Sequence, residues 1–116
     1  MKNRADLLVE FLKFSDEPAI VEGRKDKEAL ESLGFSRVIQ LGTNNSIHEI
    51  VELLQGSRNV AILTDLDKEG KSLRNRILQY FNMYGIQENK KPREILFKMN
   101  IQHIESLKNL AELVYS

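Results

Sequence analysis

Four apolar residues lead directly into a pair of aspartates in the stretch Val60–Gly70. Val60–Leu63 is typical of a buried strand, and Asp65 and Asp67 follow its end. In extended backbone, side chains two positions apart point the same way and lie about 6.5 Å apart along the strand. Two carboxylates this close repel each other unless a positive charge lies between them. A divalent cation that takes oxygen ligands, Mg²⁺ above all, is therefore the expected partner.

Hydrophobic periodicity divides the rest of the chain into alternating helices and strands. Amphipathic spacing predicts helices at residues 3–14, 25–33, 46–54, 68–84, 93–100 and 106–114. Short apolar runs predict strands at residues 19–21, 37–41, 59–64 and 101–104. The remaining polar segments predict a turn at residues 42–45 and a mobile loop at residues 87–92. This alternation is typical of a parallel sheet with helices on both faces.

A second acid, Glu22, also follows a predicted strand directly, since it comes after Ala19–Val21. Open α/β sheets bind their ligands at the carboxyl ends of the strands, where the strand order reverses. If Glu22 and Asp65 share such a site, strands one and three are neighbours and the sheet order is 2-1-3-4. We therefore expect an α/β fold with a mainly parallel four-stranded sheet, in one domain spanning residues 1–116.

Composition limits the classes of function that are open to the chain. The formal net charge is zero, whereas a domain that holds nucleic acid by itself is usually basic. A nucleic-acid partner would therefore need a local basic patch, a metal or another protein. No apolar run predicts a membrane span or a signal peptide. The absence of cysteine excludes disulfides and thiolate metal sites, and it fits a cytoplasmic protein.

The candidate metal cluster consists of Glu22, Asp65 and Asp67, with Asp26 one helical turn beyond Glu22. Such acids can hold one or two Mg²⁺ ions together with water, and the ions can then orient a phosphodiester and stabilise charge on its oxygens. Each acid alone could instead be a helix cap, but three acids at these places favour a metal site. Basic residues that could contact phosphates follow the same two strand ends, although each could equally be part of a solvated helix face. They are Arg24, Lys25, Lys27, Lys68, Lys71 and Arg74.

A calcium-binding loop is a weaker interpretation of the same stretch. Asp65–Gly70 resembles the opening of an EF-hand loop, including the glycine at the sixth position. The twelfth position, where a bidentate glutamate is required, is Arg76. A strand, not a helix, is predicted to precede the loop, so we do not favour this interpretation.

Two motifs in order resemble the Toprim domain. This domain is the catalytic module of type IA and type II topoisomerases, bacterial primases, some nucleases and the ribonuclease that matures 5S ribosomal RNA. The first motif is a strand ending in Glu-Gly-x-x-Asp at residues 22–26, and the second is Thr-Asp-x-Asp-x-x-Gly at residues 64–70. The resemblance covers about residues 18–85 and is closest to the primase-like and 5S-maturase-like branch.

The resemblance implies a three-layer, Rossmann-like fold and Mg²⁺-dependent chemistry on RNA or DNA. Glu22 would act as the general acid or base near the phosphate and belong to the metal cluster, and Asp65 and Asp67 would hold Mg²⁺. Gly23 would allow close approach of the backbone, and Asp26 and Gly70 would complete the motifs of this branch. No accessory domain of the larger members is expected, so the chain is similar to the short stand-alone Toprim proteins of archaea and some bacteria.

Three functions therefore stay open. The leading hypothesis is Mg²⁺-dependent phosphodiester chemistry, nuclease-like or primase-like. The second is a non-catalytic metal-binding or RNA-binding subunit of a larger complex, which the zero net charge favours. The third is a phospho-acceptor receiver domain phosphorylated on Asp65. That class needs an acidic pair after the first strand, where only Glu22 follows directly, and more strands than the residues after Asp65 can supply.

Overall fold

A computed structural model of the protein describes residues 2–42 and 46–115, with side chains as far as Glu112. Apart from Gly42, the predicted turn at residues 42–45 lies outside the described residues. In chain order the elements are α1 (Arg4–Leu12), β1 (Ala19–Val21), α2 (Arg24–Ser32), β2 (Val38–Gln40), α3 (Ile47–Leu53), β3 (Ala61–Ile62), α4 (Lys68–Tyr84), α5 (Lys91–Lys98), a 3₁₀ helix (Ile104–Ser106) and α6 (Leu107–Tyr115).

The sheet is parallel, and β1 lies at its centre. Ala19 is opposite Val38 of β2 on one side and opposite Ala61 of β3 on the other. The strand order is therefore β2-β1-β3. The prediction that the first and third strands are neighbours is confirmed, and the carboxyl ends of both strands reach the same edge of the sheet.

Side chains of β1 alternate between two apolar cores, one on each face of the sheet. Ala19 and Val21 lie in the first core, with buried side chains of α1, α2, α5 and α6. Ile20 lies in the second core, with buried side chains of α3 and α4. Helices thus cover both faces, and the predicted three-layer α/β fold is confirmed.

The predicted fourth strand at residues 101–104 is wrong. Ile101 lies in an irregular segment, and the 3₁₀ helix begins at Ile104. Both isoleucines are buried in the first core. Their segment therefore has the apolar pattern of a strand, although it does not pair with the sheet. The structure describes three strands in residues 2–42 and 46–115.

The outer edge of β3 is covered by two other groups instead of a fourth strand. Val60 forms a parallel bridge with Glu88, so the segment predicted as a mobile loop is bound to the sheet by main-chain hydrogen bonds of 3.1 and 2.9 Å. Farther along the edge, Arg93 Nη1 donates to the carbonyl oxygens of Ile62 and Thr64 at 3.1 and 2.6 Å. A side chain of α5 therefore satisfies the carbonyls that a fourth strand would have bound.

The helix ends follow the local signals in the sequence. Ser46 Oγ accepts from Glu49 N at 3.2 Å, which is one of the two hydrogen bonds of a capping box, a pattern typical of a serine followed three residues later by a glutamate. Gly85 ends α4 in the left-handed region, with φ of 67°.

Because α4 begins at Lys68, most of the twelve residues of an EF-hand loop would be helical, which excludes that interpretation. Within residues 2–42 and 46–115, no helix is both long and apolar enough to cross a membrane.

Candidate metal centre

The predicted acids meet where β1 and β3 end. One carboxylate oxygen each from Glu22, Asp26 and Asp65 lie within 4.8 Å of one another. A second triplet of the same spacing joins Asp65 and Asp67 to His103. Asp65 belongs to both triplets, so the structure brings together acids that are far apart in the sequence.

Hydrogen bonds to the main chain hold both aspartates in place. Asp65 Oδ1 accepts from Ile104 N at 2.9 Å. Asp67 is the N-cap of α4, and its Oδ1 accepts from Gly70 N at 2.8 Å. Each aspartate thus has one oxygen, Oδ1, bound to the main chain, while its second oxygen, Oδ2, has no main-chain partner among the described residues.

Burial and mutual repulsion change the proton affinities of two of the acids. Burial, followed by the charge of Asp65, raises the pKa of Glu22 above its ordinary value. The same two causes, in the same order, raise the pKa of Asp26, whose Oδ2 accepts from Gly23 N at 3.1 Å. An uncompensated cluster of carboxylates has this signature, because each added negative charge disfavours the ionised form of its neighbours.

His103 is a member of the site that sequence analysis missed. Its Nδ1 lies 3.4 Å from Asp65 Oδ2 and 3.9 Å from Asp67 Oδ2. The hydrogen bond to Asp65, followed by the negative charges of both aspartates, raises the pKa of His103. No signal in the sequence points to it, since no ligand spacing relates His103 to Asp65 or Asp67.

Arg93 is a second missed residue, and it supports the acids through the main chain. Its Nη2 donates to the carbonyl oxygen of Asp65 at 2.8 Å, and its Nη1 also bonds Thr64 Oγ1 at 3.2 Å. Thr64 is fully buried, and its hydroxyl donates to Gly70 O at 2.7 Å. Burial lowers the pKa of Arg93. The turn that carries Asp65 is therefore held by a buried guanidinium on one side and by α4 on the other.

The two glycines of the motifs differ in what they do. A Cβ built on Gly70 would lie 1.8 Å from Asp65 O, so only glycine lets α4 pack against the Asp65 turn. A Cβ on Gly23 would have Asp26 Oδ2 as its nearest neighbour at 3.8 Å, which is an ordinary contact. The fold thus requires glycine at position 70 but leaves room for a side chain at position 23.

Comparisons with known proteins agree with this geometry. The family model of the Toprim domain matches residues 17–110. The chain belongs to the Toprim domain family. A UPF0292 protein of Methanocaldococcus jannaschii is 36% identical over 107 residues, which cover 86% of this chain and 84% of that protein. A UPF0292 protein of Pyrococcus abyssi is 30% identical over 108 residues, covering 90% and 82% of the two chains.

The structural comparison gives the same result. A solved structure of a protein from Aquifex aeolicus superposes with a TM-score of 0.77 at 29% sequence identity. The match covers 91% of this chain and 99% of that one. This Toprim chain is therefore similar to small proteins of about its own length, as the sequence suggested. The family assignment argues against the receiver hypothesis and leaves the two nucleic-acid hypotheses.

The donor set of this Toprim domain fits a divalent cation. Four carboxylates and one imidazole converge on one edge of the sheet, and such groups are ligands for hard and borderline divalent ions. Burial first, and then the negative charge of Asp65, raises the pKa of Glu22 and of Asp26, and a positive charge beside these acids would balance the repulsion between them. A bound cation would supply that balance.

The predicted phosphate-binding residues are in two different situations. Arg74 forms a bidentate ion pair with Glu88, with N–O distances of 2.7 and 2.6 Å. Arg24 lies 3.7 Å from Glu28 in an exposed pair. Of the other predicted residues, Lys25, Lys68 and Lys71 are exposed and Lys27 is half-buried.

We expect the stability of the metal-free protein, relative to an Asp65→Asn variant, to fall as pH rises from about 4 to 8. The folded state raises the pKa of Glu22 and Asp26 through burial and repulsion, and that of His103 through Asp65. The folded protein therefore binds more protons than the unfolded chain in this window, and stability is lost as those protons leave. Urea denaturation in EDTA at several pH values measures the difference; a constant gap between the two proteins would contradict the prediction.

Proposed function

We propose that this Toprim domain carries out divalent-cation-dependent chemistry on the phosphodiester bonds of RNA or DNA, with Mg²⁺ as the expected cation. The observation that carries the proposal is the meeting of Glu22 and Asp65 at the carboxyl ends of two adjacent parallel strands, with Asp67 in a second triplet that shares Asp65. Open α/β sheets bind their ligands at this position. Membership of the Toprim family supports the same class of chemistry.

In this proposal the aspartates and the glutamate have different tasks. Asp65 and Asp67 offer their Oδ2 atoms to the cation, since their Oδ1 atoms are bound to the main chain. A bound divalent cation would orient the phosphodiester and reduce the charge that builds up on its oxygens. Glu22 has a raised pKa, so its carboxyl group is better suited than an ordinary glutamate to give or take a proton near neutral pH.

The substrate would lie along the basic residues that follow the ends of β1 and β3 in the sequence. Three lysines are exposed, namely Lys25, Lys68 and Lys71. They could contact phosphates without breaking an ion pair within the described residues. Arg24 would have to leave only an exposed pair with Glu28. Arg74 is the least suitable member of the predicted set, because its guanidinium is bound by both oxygens of a nearly buried glutamate. Gly23 leaves open space beside the cluster, where a phosphate could approach the backbone.

The Asp65→Asn variant tests the proposal. Asparagine keeps an oxygen that can accept from Ile104 N, but it removes the charge that both triplets share. We expect affinity for Mg²⁺ and Mn²⁺ to fall by at least about tenfold, and any metal-dependent cleavage or extension of RNA or DNA oligonucleotides to be lost. Asp16→Asn, at an exposed aspartate away from the cluster, is the matched control and should retain both. Unchanged metal affinity in Asp65→Asn would refute the site.

A second candidate is a non-catalytic Toprim subunit that binds metal and RNA within a larger complex. Two observations favour it: the net charge is zero, and both Arg74 and Arg93 are engaged by protein groups. Affinity for nucleic acid would then depend on a partner. One measurement separates the two candidates, namely turnover of simple oligonucleotides by the purified protein with a divalent cation. Turnover would rule out the non-catalytic role.

A further inference from the structure

We infer that His103 is a nitrogen ligand of the cation site, and that it makes the site prefer Mn²⁺ to Mg²⁺. The inference rests on the proposed function in one respect, that a cation binds at Asp65. Neither the Glu-Gly-x-x-Asp motif nor the Thr-Asp-x-Asp motif includes this histidine, which enters from the segment between α5 and the 3₁₀ helix.

The distances among the three side chains suit a common ion. His103 Nδ1 lies 3.4 Å from Asp65 Oδ2 and 3.9 Å from Asp67 Oδ2. Ligands about 2.1 Å from an octahedral ion lie about 3 Å apart when adjacent and about 4.2 Å apart when opposite. Both separations from His103 fall between these values, and one ligand atom from each of the three side chains lies within 4.8 Å of the other two, so the three can share a cation after small movements.

The two aspartates are held in a way that leaves the required oxygens facing the ring. Main-chain N–H groups of Ile104 and Gly70 bind Oδ1 of Asp65 and Asp67, respectively. In both residues the remaining oxygen, Oδ2, is the one closest to His103 Nδ1. Turning either carboxylate away would break a hydrogen bond, so the three-atom arrangement is preorganised.

The main chain also fixes the histidine, although its side chain is 56% exposed. The residue before it, Gln102, accepts from Leu66 N at 2.7 Å. The residue after it, Ile104, donates to Asp65. Ser106 then donates to His103 O through both its N–H and its hydroxyl, at 3.1 and 2.7 Å. The histidine is thus tied on both sides to the turn that carries the acids.

A nitrogen ligand changes which cation the site binds best. Mg²⁺ requires near-ideal octahedral geometry, is usually held through one or two carboxylates, and keeps several waters. Imidazole suits transition metals, whose affinity for mixed nitrogen and oxygen sites rises from Mn²⁺ along the first row. Mn²⁺ accepts carboxylate and imidazole together, so His103 adds more to Mn²⁺ binding than to Mg²⁺ binding.

A plain ion pair between His103 and Asp65 makes the opposite prediction. In that case the histidine competes with the cation for Asp65 Oδ2, and removing the ring would free the carboxylate. Metal affinity would then rise in a His103→Gln variant. If the ring is a ligand, metal affinity falls in the same variant, so the sign of the change separates the two roles.

The chain contains two histidines, His48 and His103, so a nitrogen signal at the metal can be assigned. We expect electron spin echo spectra of bound Mn²⁺ to show coupling to an imidazole nitrogen in the unmodified protein and in His48→Gln. The coupling should be lost in His103→Gln. Calorimetry should show Mn²⁺ affinity lower by at least about tenfold in His103→Gln, with a smaller change for Mg²⁺. His48 is a matched control because it is also exposed and lies 3.0 Å from Glu52.

Each other outcome has a definite meaning. If bound Mn²⁺ shows no nitrogen coupling in the unmodified protein, the inference is wrong. This result needs no variant, so it holds even if His103→Gln fails to fold. Equal or tighter Mn²⁺ binding by His103→Gln also overturns it, and the proposed function stands if Asp65→Asn still weakens metal binding. Metal affinity unchanged by Asp65→Asn overturns the proposed function and the inference together.

Discussion

Replacing Gly70 with alanine is expected to lower the free energy of unfolding by about 3 kcal/mol, the upper end of the usual cost of overpacking. The added Cβ would lie 1.8 Å from the carbonyl oxygen of Asp65. Both groups in this clash are main chain, so no side chain can rotate to relieve it. The first turn of α4 would have to separate from the Asp65 turn, which also strains the bond from Thr64 Oγ1 to Gly70 O.

Gly23→Ala is the matched control for this prediction. Its backbone is extended, with φ of −140°, and the nearest heavy atom to the new Cβ would be 3.8 Å away. We expect a loss of about 1 kcal/mol or less, because Gly23 is the N-cap of α2 and alanine is less favourable than glycine at that position. Urea denaturation of both variants measures the contrast. Equal stabilities of Gly70→Ala and Gly23→Ala would mean that α4 does not pack on the Asp65 turn as the structure describes.

The two variants also separate structure from function at the glycines. Because Gly70→Ala displaces Asp65, we expect it to weaken cation binding as well as folding. Gly23→Ala leaves the acids in place and should bind the cation normally. A loss of activity in Gly23→Ala alone would therefore come from the substrate side, where a side chain blocks close approach of a phosphate to the backbone.

Much of this fold could be predicted because its signals are local. The short apolar run Ala19–Val21 predicted a strand, and the structure places its residues in two cores, one on each face of the sheet. The meeting of Glu22 and Asp65 could be predicted for a different reason. Two acids at the ends of two strands come together if the strands are parallel neighbours. A shared cation site requires the two strands to be such neighbours, so the expected chemistry predicted the strand order.

The features that were missed depend on contacts between distant parts of the chain. Ile101 and Ile104 have the apolar pattern of a strand, but their burial comes from packing in the core that includes α2 and α6. No local pattern shows that the edge of β3 is closed by Arg93. His103 was missed for the same reason, since its place beside Asp65 results from the path of the chain after α5.

Replacing Arg93 with methionine should be the most damaging change outside the acid cluster itself. Methionine keeps the apolar stem but removes the donors that bind the carbonyl oxygens of Ile62, Thr64 and Asp65. Ile62 and Thr64 are fully buried. A buried carbonyl left without a donor costs about 1–3 kcal/mol, so the loss of two or more should lower the free energy of unfolding by about 3 kcal/mol or more.

Two further variants identify the cause of the loss. Lys98→Met removes one positive charge from an exposed position on the same helix, and it should cost less than about 1 kcal/mol. Arg93→Lys keeps a charge but lacks the planar fork that reaches several carbonyls at once, so its stability should be intermediate. If the free energy of unfolding of Arg93→Lys equalled that of the unmodified protein, the charge of Arg93 would explain its contribution to stability. The contacts with several carbonyl oxygens would then not be needed to explain it.

Arg93 should also affect cation binding without touching the cation. Its bond to Asp65 O fixes the main chain of the residue that both triplets share, so Arg93 is a positioning residue. In Arg93→Lys we expect the protein to remain folded but to bind Mn²⁺ more weakly by about tenfold, the lower end of the effect of residues that support a metal ligand. Calorimetry on Arg93→Lys and Lys98→Met tests this. Normal affinity in Arg93→Lys, with a measurable loss of stability, would show that the guanidinium closes the edge of β3 and does not position Asp65.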